Sequence, residues 1–191
     1  METTDDDLGA RLAAAASGDR ASWDHIVDRF ANLVWSVARS YRLSSDDAAD
    51  VVQTTWLRLL DNLDRIEDAQ RLGSWLATTA RNESLHSLRR SKREPAVDLV
   101  EIMTSVADGG AALDADLLRA ERDVALWELF ERLSDNCRRL LRVMIATPAP
   151  SYAEVSEALG MPIGSIGPTR ARCLASLRTL AVDADLAPDL G

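Results

Sequence analysis

Residues 151–180 read SYAEVSEALGMPIGSIGPTRARCLASLRTL, and the fold turns on how this stretch is punctuated. Ser151 and Glu154 form a capping box: the hydroxyl can accept from the backbone N–H three residues on, while the carboxylate reaches back. A helix therefore starts here, with Tyr152, Val155 and Leu159 as its inner face. Gly160 supplies a permissive turn, and Ile163 and Ile166 re-enter the core on the next helix. Pro168 breaks that helix unless Ser165 is its N-cap, which places the proline in the first turn where its missing donor costs little. The spacing is that of a helix-turn-helix, with Ser165, Gly167, Pro168, Thr169, Arg170 and Arg172 near the end of the second helix that such units insert in the major groove. Arginine suits that end, since its fork binds guanine bidentately or clasps phosphate. The competing reading is an αα-hairpin whose arginines are merely solvated.

Upstream, Trp23, Ile26, Val27, Phe30, Leu33, Val34, Val37, Ala38 and Tyr41 recur at spacings of three and four, which predicts one long amphipathic helix. Ser44-Ser45-Asp46-Asp47 offers N-caps for a second, carrying Ala48, Val51, Val52, Thr55, Trp56, Leu59, Leu60 and Leu63. A third begins at Leu72, Trp75 and Leu76 and runs into Arg89-Arg90-Ser91-Lys92-Arg93 before Pro95 ends it. Between Glu94 and about Asp116 the periodicity is lost, so a linker is expected. A second helical unit is expected from near Leu118, with Val124, Trp127, Phe130 and Leu133 on one face, continuing through Cys137, Leu140, Leu141, Met144 and Ile145 to Thr147-Pro148-Ala149-Pro150.

The 191 residues are 47% apolar, enough to fill a core, and nine aromatics with only fifteen Gly and Pro suit packed helices better than a β-sandwich. The fold class is all-α. Net charge is −9, but it is unevenly spread: residues 71–93 carry six basic and one acidic side chain, and 138–180 carry six and two. Residues 1–70 and 94–137 are strongly acidic, with 14 and 11 carboxylates. Two basic islands between acidic stretches fit two polyanion-facing surfaces. The N-terminus lacks a basic and an apolar region, and no apolar run is long enough to span a bilayer, so no membrane association and a cytoplasmic location are expected. Cys137 and Cys173 are then two thiols in a reducing compartment, where a disulfide is not expected; with two histidines, metal sites and cofactors are expected to be none. No nucleophile–base pair or phosphate loop points to an enzyme.

Three ordered motifs resemble the extracytoplasmic-function (ECF) sigma factors, small two-domain initiation subunits of bacterial RNA polymerase. Asp47-Ala48-Ala49-Asp50-Val51-Val52-Gln53 resembles the family's Asp-Ala-Glu-Asp-Val-Val-Gln in region 2.2. Gly73-Ser74-Trp75-Leu76-Ala77-Thr78-Thr79-Ala80-Arg81-Asn82 resembles regions 2.3 and 2.4, and Val155 through Leu177 resembles region 4.2. The resemblance implies two small helical domains joined by a flexible acidic linker: an N-terminal extension 1–17, a region 2 domain 18–93, the linker 94–118, a region 4 domain 119–181 and an acidic tail 182–191. It implies that Asp47, Asp50 and Gln53, three apart on one polar face, bind the β′ clamp helices of the RNA polymerase core enzyme. It implies further that Trp75, Arg81, Asn82, Arg89, Arg90, Lys92 and Arg93 face the −10 element, with Asn82 lining a pocket for a flipped base that the loop at about Leu63 to Leu72 shapes. Trp75, at helical spacing with Leu72 and Leu76, reads first as a core residue.

Family members usually carry a polar or basic pair at Gly167-Pro168, which implies backbone approach in place of side-chain readout at part of the −35 element. Arg170 stands where the family is commonly apolar, which implies that it is partly packed. The partners implied are the core enzyme (β′ clamp helices and β subunit), promoter DNA and a candidate anti-sigma factor, with a monomer when free. The rival readings are a stand-alone helix-turn-helix regulator, which would dimerise and bind duplex DNA tightly alone, and an adaptor that sequesters another protein through its acidic helices.

Overall fold

The computed structural model describes residues 3–66, 68–91 and 125–184. The expected linker at 94–118, the basic residues Lys92 and Arg93, and the end of the tail lie outside them. Within the described residues the fold is helical, without strands, as the hydrophobic periodicity required. Helix α1 spans Thr3–Ala16, α2 Arg20–Ser40, α3 Ser45–Leu60 and α4 Leu72–Ser91, with two short 3-10 turns at Leu63–Arg65 and Ala69–Arg71. A helix over 125–131, here α5, leads to α6 (Asp135–Met144), α7 (Tyr152–Leu159) and α8 (Ile163–Asp183).

The caps explain most of these boundaries. Asp19 accepts from the Ser22 N–H to start α2, and Ser44 accepts from the Asp47 N–H to start α3. Helix α1 was not expected: its Leu8, Leu12 and Ala15 are buried against α2 and the 3-10 turns in the main core. The helical unit expected from near Leu118 through Ile145 is, within the described residues, built of two helices, and its start at 118–124 lies outside them. Leu133 closes α5 with a bond to the Phe130 carbonyl, and Ser134 caps α6 by accepting from the Cys137 N–H. The serine offers the backbone an alternative to continuing, and the chain turns.

Helix α7 begins with the expected capping box, Ser151 N–H donating to Glu154 Oε2 at 2.6 Å, and ends at Gly160 with φ +66. Helix α8 corrects the expectation for Ser165. Its N-cap is Pro162, Ser165 Oγ donates back to the Pro162 carbonyl at 2.7 Å, and Pro168 lies inside the helix. The proline leaves the Gly164 carbonyl without its helical donor, but Gly164 is exposed, so water can supply it. Ile166 is fully buried as expected, whereas Ile163 is 54% and Tyr152 41% exposed.

The two halves share one core. Leu140 and Val143 of α6, Val155, Ala158 and Leu159 of α7 and Ile166 of α8 are packed into the same cluster as Ile26, Leu59, Leu72 and Leu76. Tyr41 stitches the seam: its hydroxyl donates to the Ala158 carbonyl at 2.8 Å in a buried position. The helical donor for that carbonyl would be the N–H of residue 162, which is proline and has none. Gly73 permits the approach of α7 to α4, since a Cβ there would stand 1.7 Å from Glu154 Oε1. A second, smaller cluster of Phe130, Leu133, Leu141 and Cys173 holds α8 to α5 and α6. There, against expectation, Cys137 and Cys173 are joined in a disulfide across 5.2 Å between Cα atoms, because α6 and α8 pack side by side with Cys173 fully buried.

Candidate polymerase and promoter interface

The residues expected to bind the core enzyme lie on α3, whose packed side is Ala48, Val51, Thr55 and Leu59. Asp50 and Gln53 are exposed. Asp47 is half-buried and committed within the chain: it accepts from Ser44 Oγ at 2.8 Å and from Ser87 Oγ of α4 at 3.4 Å. The open face continues instead through Leu57 and Leu60, 52% and 48% exposed. Residues 50, 53, 57 and 60 recur at helical spacing and make one stripe, acidic and amide at one end and apolar at the other. Leu60 had been expected in the buried face. The spacing from Gln53 was the signal available for Leu57, which the motif stops short of.

Helix α4 presents two faces. Trp75, Thr78 and Asn82 recur at three and four residues, and Asn82 is exposed. Trp75 packs partly on the main core and, with Arg65, Ile66 and Arg71, lines a surface groove beside the 3-10 turns, where the loop before this helix was expected to shape a pocket. The groove reaches α7, where Thr78 Oγ1 donates to Glu157 Oε2 at 2.9 Å. Arg65 and Arg71 lie in the loop expected to shape this pocket, whereas Glu157 of α7 was not expected there, because only the fold brings α7 to the groove. Arg81 points elsewhere: its guanidinium packs beside Gly160, where a Cβ would stand 2.7 Å from its Nη2, and its Nε is buried without a hydrogen-bond partner. Arg89 and Arg90 are exposed near the end of α4.

On α8 the expected −35 residues separate by face. Thr169 is buried, 8% exposed, and accepts from Arg172 Nη2 at 3.2 Å, so it positions that arginine rather than facing outward. The packed side runs Ile166, Thr169, Cys173 and Ala181. Opposite, Gly164, Pro168, Ala171 and Ala175 are exposed and carry no long polar group. Arg170 and Arg172 flank this small-residue stripe and are both exposed, against the expectation that Arg170 is partly packed. Ser165 and Gly167 are half-buried, Ser165 bonded to the preceding turn and Gly167 beside the Tyr152 ring. This helix can bring its backbone close to a surface and clasp anions at its edges.

Residues 26–94 match the family model for sigma-70 region 2. The chain is 28% identical over 169 residues to the ECF RNA polymerase sigma factor SigM of Mycobacterium tuberculosis, covering 88% of this chain and 82% of SigM. It is 23% identical over 164 residues to the ECF RNA polymerase sigma factor SigW of Bacillus subtilis, covering 82% and 87%. Among solved structures, the fold is similar to CnrH in complex with the cytosolic domain of CnrY, with TM-score 0.56, 24% identity, and 92% and 97% of the chains covered. It is also similar to sigma factor RpoE in complex with the anti-sigma factor NepR from Bartonella quintana, with TM-score 0.57, 24% identity, and 82% and 96% covered. No described helix is long and apolar enough to cross a membrane.

Proposed function

We propose, on the premise that this chain is an ECF sigma factor, that it joins the RNA polymerase core enzyme and directs it to promoters by −35 and −10 recognition and melting. The observation that carries the reading is the pairing in one chain of the region 2 helices α3 and α4 with a helix-turn-helix built on a capping box and a left-handed glycine. Its contribution is binding and positioning, while bond-making belongs to the polymerase. The α3 stripe of Asp50, Gln53, Leu57 and Leu60 supports clamp binding. Its carboxylate can pair with basic groups of a partner helix, and its leucines add apolar area that water now covers.

Asn82 and Trp75 on one side of α4, with Arg71 in the turn just before it, support the −10 role. Melting unstacks a base at a cost of a few kcal/mol, and an exposed amide with an aromatic edge and nearby guanidiniums can receive it. Arg89 and Arg90 extend that surface toward phosphates. At the −35 element, α8 offers its small-residue stripe to the groove and Arg170 and Arg172 to phosphates or base edges. An anti-sigma partner is proposed as well, since the RpoE neighbour is held by one.

The test is co-purification with core enzyme of the parent chain and of Asp50→Arg with Gln53→Ala. Both positions are exposed, so the variant keeps its fold by circular dichroism yet loses the core enzyme, at about 1.5–7 kcal/mol for lost close charge pairs. A folded variant that co-purifies as well as the parent refutes the clamp assignment.

A further inference from the structure

Where the C-terminal end of α2 meets α6, a cavity of about 210 Å³ is lined by five arginines: Arg39 and Arg42 from the first half, Arg138, Arg139 and Arg142 from α6. Only two carboxylates, Glu131 and Asp135, share it. Those two are already engaged. Glu131 pairs with Arg138 at 2.9 Å and Arg142 at 3.4 Å, and Asp135 pairs with Arg138 and, at 3.3 Å, with Arg42. Arg39 and Arg139 have no carboxylate partner among the described residues, and the Nε of each is buried without a hydrogen-bond partner. The guanidinium of Arg139 instead lies 4.3 Å over the Tyr41 ring, and Arg39 donates to the Leu43 carbonyl at 3.1 Å. Arg42 reaches the cavity from a left-handed backbone, φ +57, which a non-glycine residue holds only at a cost.

A net charge of three positives in a partly buried hollow of a protein that is otherwise acidic is unfavourable when empty of anions. Guanidinium forks match phosphate oxygens bidentately, and several converging forks select multiply charged phosphates over chloride or a single carboxylate. We infer that this cavity binds a small phosphate-bearing anion of diphosphate size. Such an anion bridges α2 to α6 and so clasps the two halves beside the Tyr41 seam. The site shares no residue with the α3 stripe, the Trp75 groove or the exposed face of α8. Its occupancy therefore strengthens the contact between the halves without covering those surfaces.

The probe is inorganic pyrophosphate, titrated calorimetrically into the full chain at constant ionic strength, with thermal unfolding alongside. Saturable binding of roughly one equivalent and a raised midpoint are expected, weakened about tenfold or more in Arg39→Gln with Arg139→Gln. Arg139 also packs on Tyr41, so Arg42→Gln, whose parent side chain is 64% exposed, serves as the variant certain to spare the packing, with binding weakened several-fold. No saturable binding, or equal binding by parent and Arg42→Gln, overturns the inference. So does protection by a short non-promoter duplex but not by pyrophosphate, which would assign the arginines to DNA backbone phosphates. None of these readouts involves polymerase, so their failure is separate from failure of the sigma reading.

Discussion

Tyr41→Phe isolates the seam between the halves. The substitution keeps the ring, its volume and the contact with Arg139, and removes only the hydroxyl that donates to the Ala158 carbonyl at 2.8 Å. That carbonyl has no other helical donor, because residue 162 is proline, and it sits where water does not reach it. Leaving a buried acceptor unpaired costs about 1–3 kcal/mol, more than the net worth of an ordinary hydrogen bond. At about 2–4 °C per kcal/mol for a chain of this size, a mid-range loss lowers the melting temperature by roughly 4–8 °C. The halves carry separate reporters: Trp23, Trp35, Trp56 and Trp75 lie in the first, and Trp127 stacks edge-on to Phe130 in the second. Urea unfolding followed in single-tryptophan variants should give coincident transitions in the parent, and both should shift together in Tyr41→Phe. Two separated transitions, or a shift confined to one reporter, would refute the shared core.

The Cys137–Cys173 link closes 36 residues between α6 and α8, worth about 3–4 kcal/mol by loop entropy. Dithiothreitol should lower the stability of the chain by that order, seen alike at Trp127 and at the first-half reporters, and leave Cys137→Ser with Cys173→Ser unaffected. Asp135 is held below the usual carboxylate range first by its hydrogen bond from Arg138, then by Arg42. A lowered folded pKa means stability that is present above the unfolded value of 3.8 and lost as pH falls through the folded one. Asp135→Asn should therefore flatten the acid limb of the unfolding curve below about pH 4, and an unchanged limb would remove the ion pair from the account. Arg172→Ala should weaken −35 binding by holoenzyme. A loss of about 1–3 kcal/mol at one base pair marks base readout, and a uniform loss with a salt slope smaller by about one marks phosphate contact. No change in either quantity takes Arg172 off the interface.

Periodicity and capping rules made α2, α3, α4 and the capping box of α7 legible, because those signals are local and strong. What escaped depended on contacts between distant segments. Leu8, Leu12 and Ala15 sit in an alanine-rich run whose helix gains its stability from docking on α2, not from a sharp apolar stripe. Ile163 and Leu60 lie at helix ends where the described residues cover only about half of each, so their apolar character did not bury them. Thr169 reads as an outward polar residue, but it lies three residues after buried Ile166 and four before buried Cys173, so the helix carries it on the packed face. An interior proline costs a donor, which argues for placing Pro168 in a first turn, yet here the orphaned carbonyl belongs to exposed Gly164. The disulfide and the Tyr41 bond join residues 36 and 117 apart, and nothing in either local stretch announces its partner. For the interface, the family motifs located the helices, whereas burial alone separated Asp50 and Gln53 from Asp47, and Arg172 from Thr169.

Promoter-specific initiation by this chain is tested most directly by run-off transcription from fragments of its own genome, with purified core enzyme and with or without the chain. Discrete transcripts should appear only when the chain is added and vanish with Asp50→Arg and Gln53→Ala. Transcripts indifferent to the chain, alongside tight binding of the free chain to duplex DNA, would contradict it and leave a stand-alone helix-turn-helix regulator.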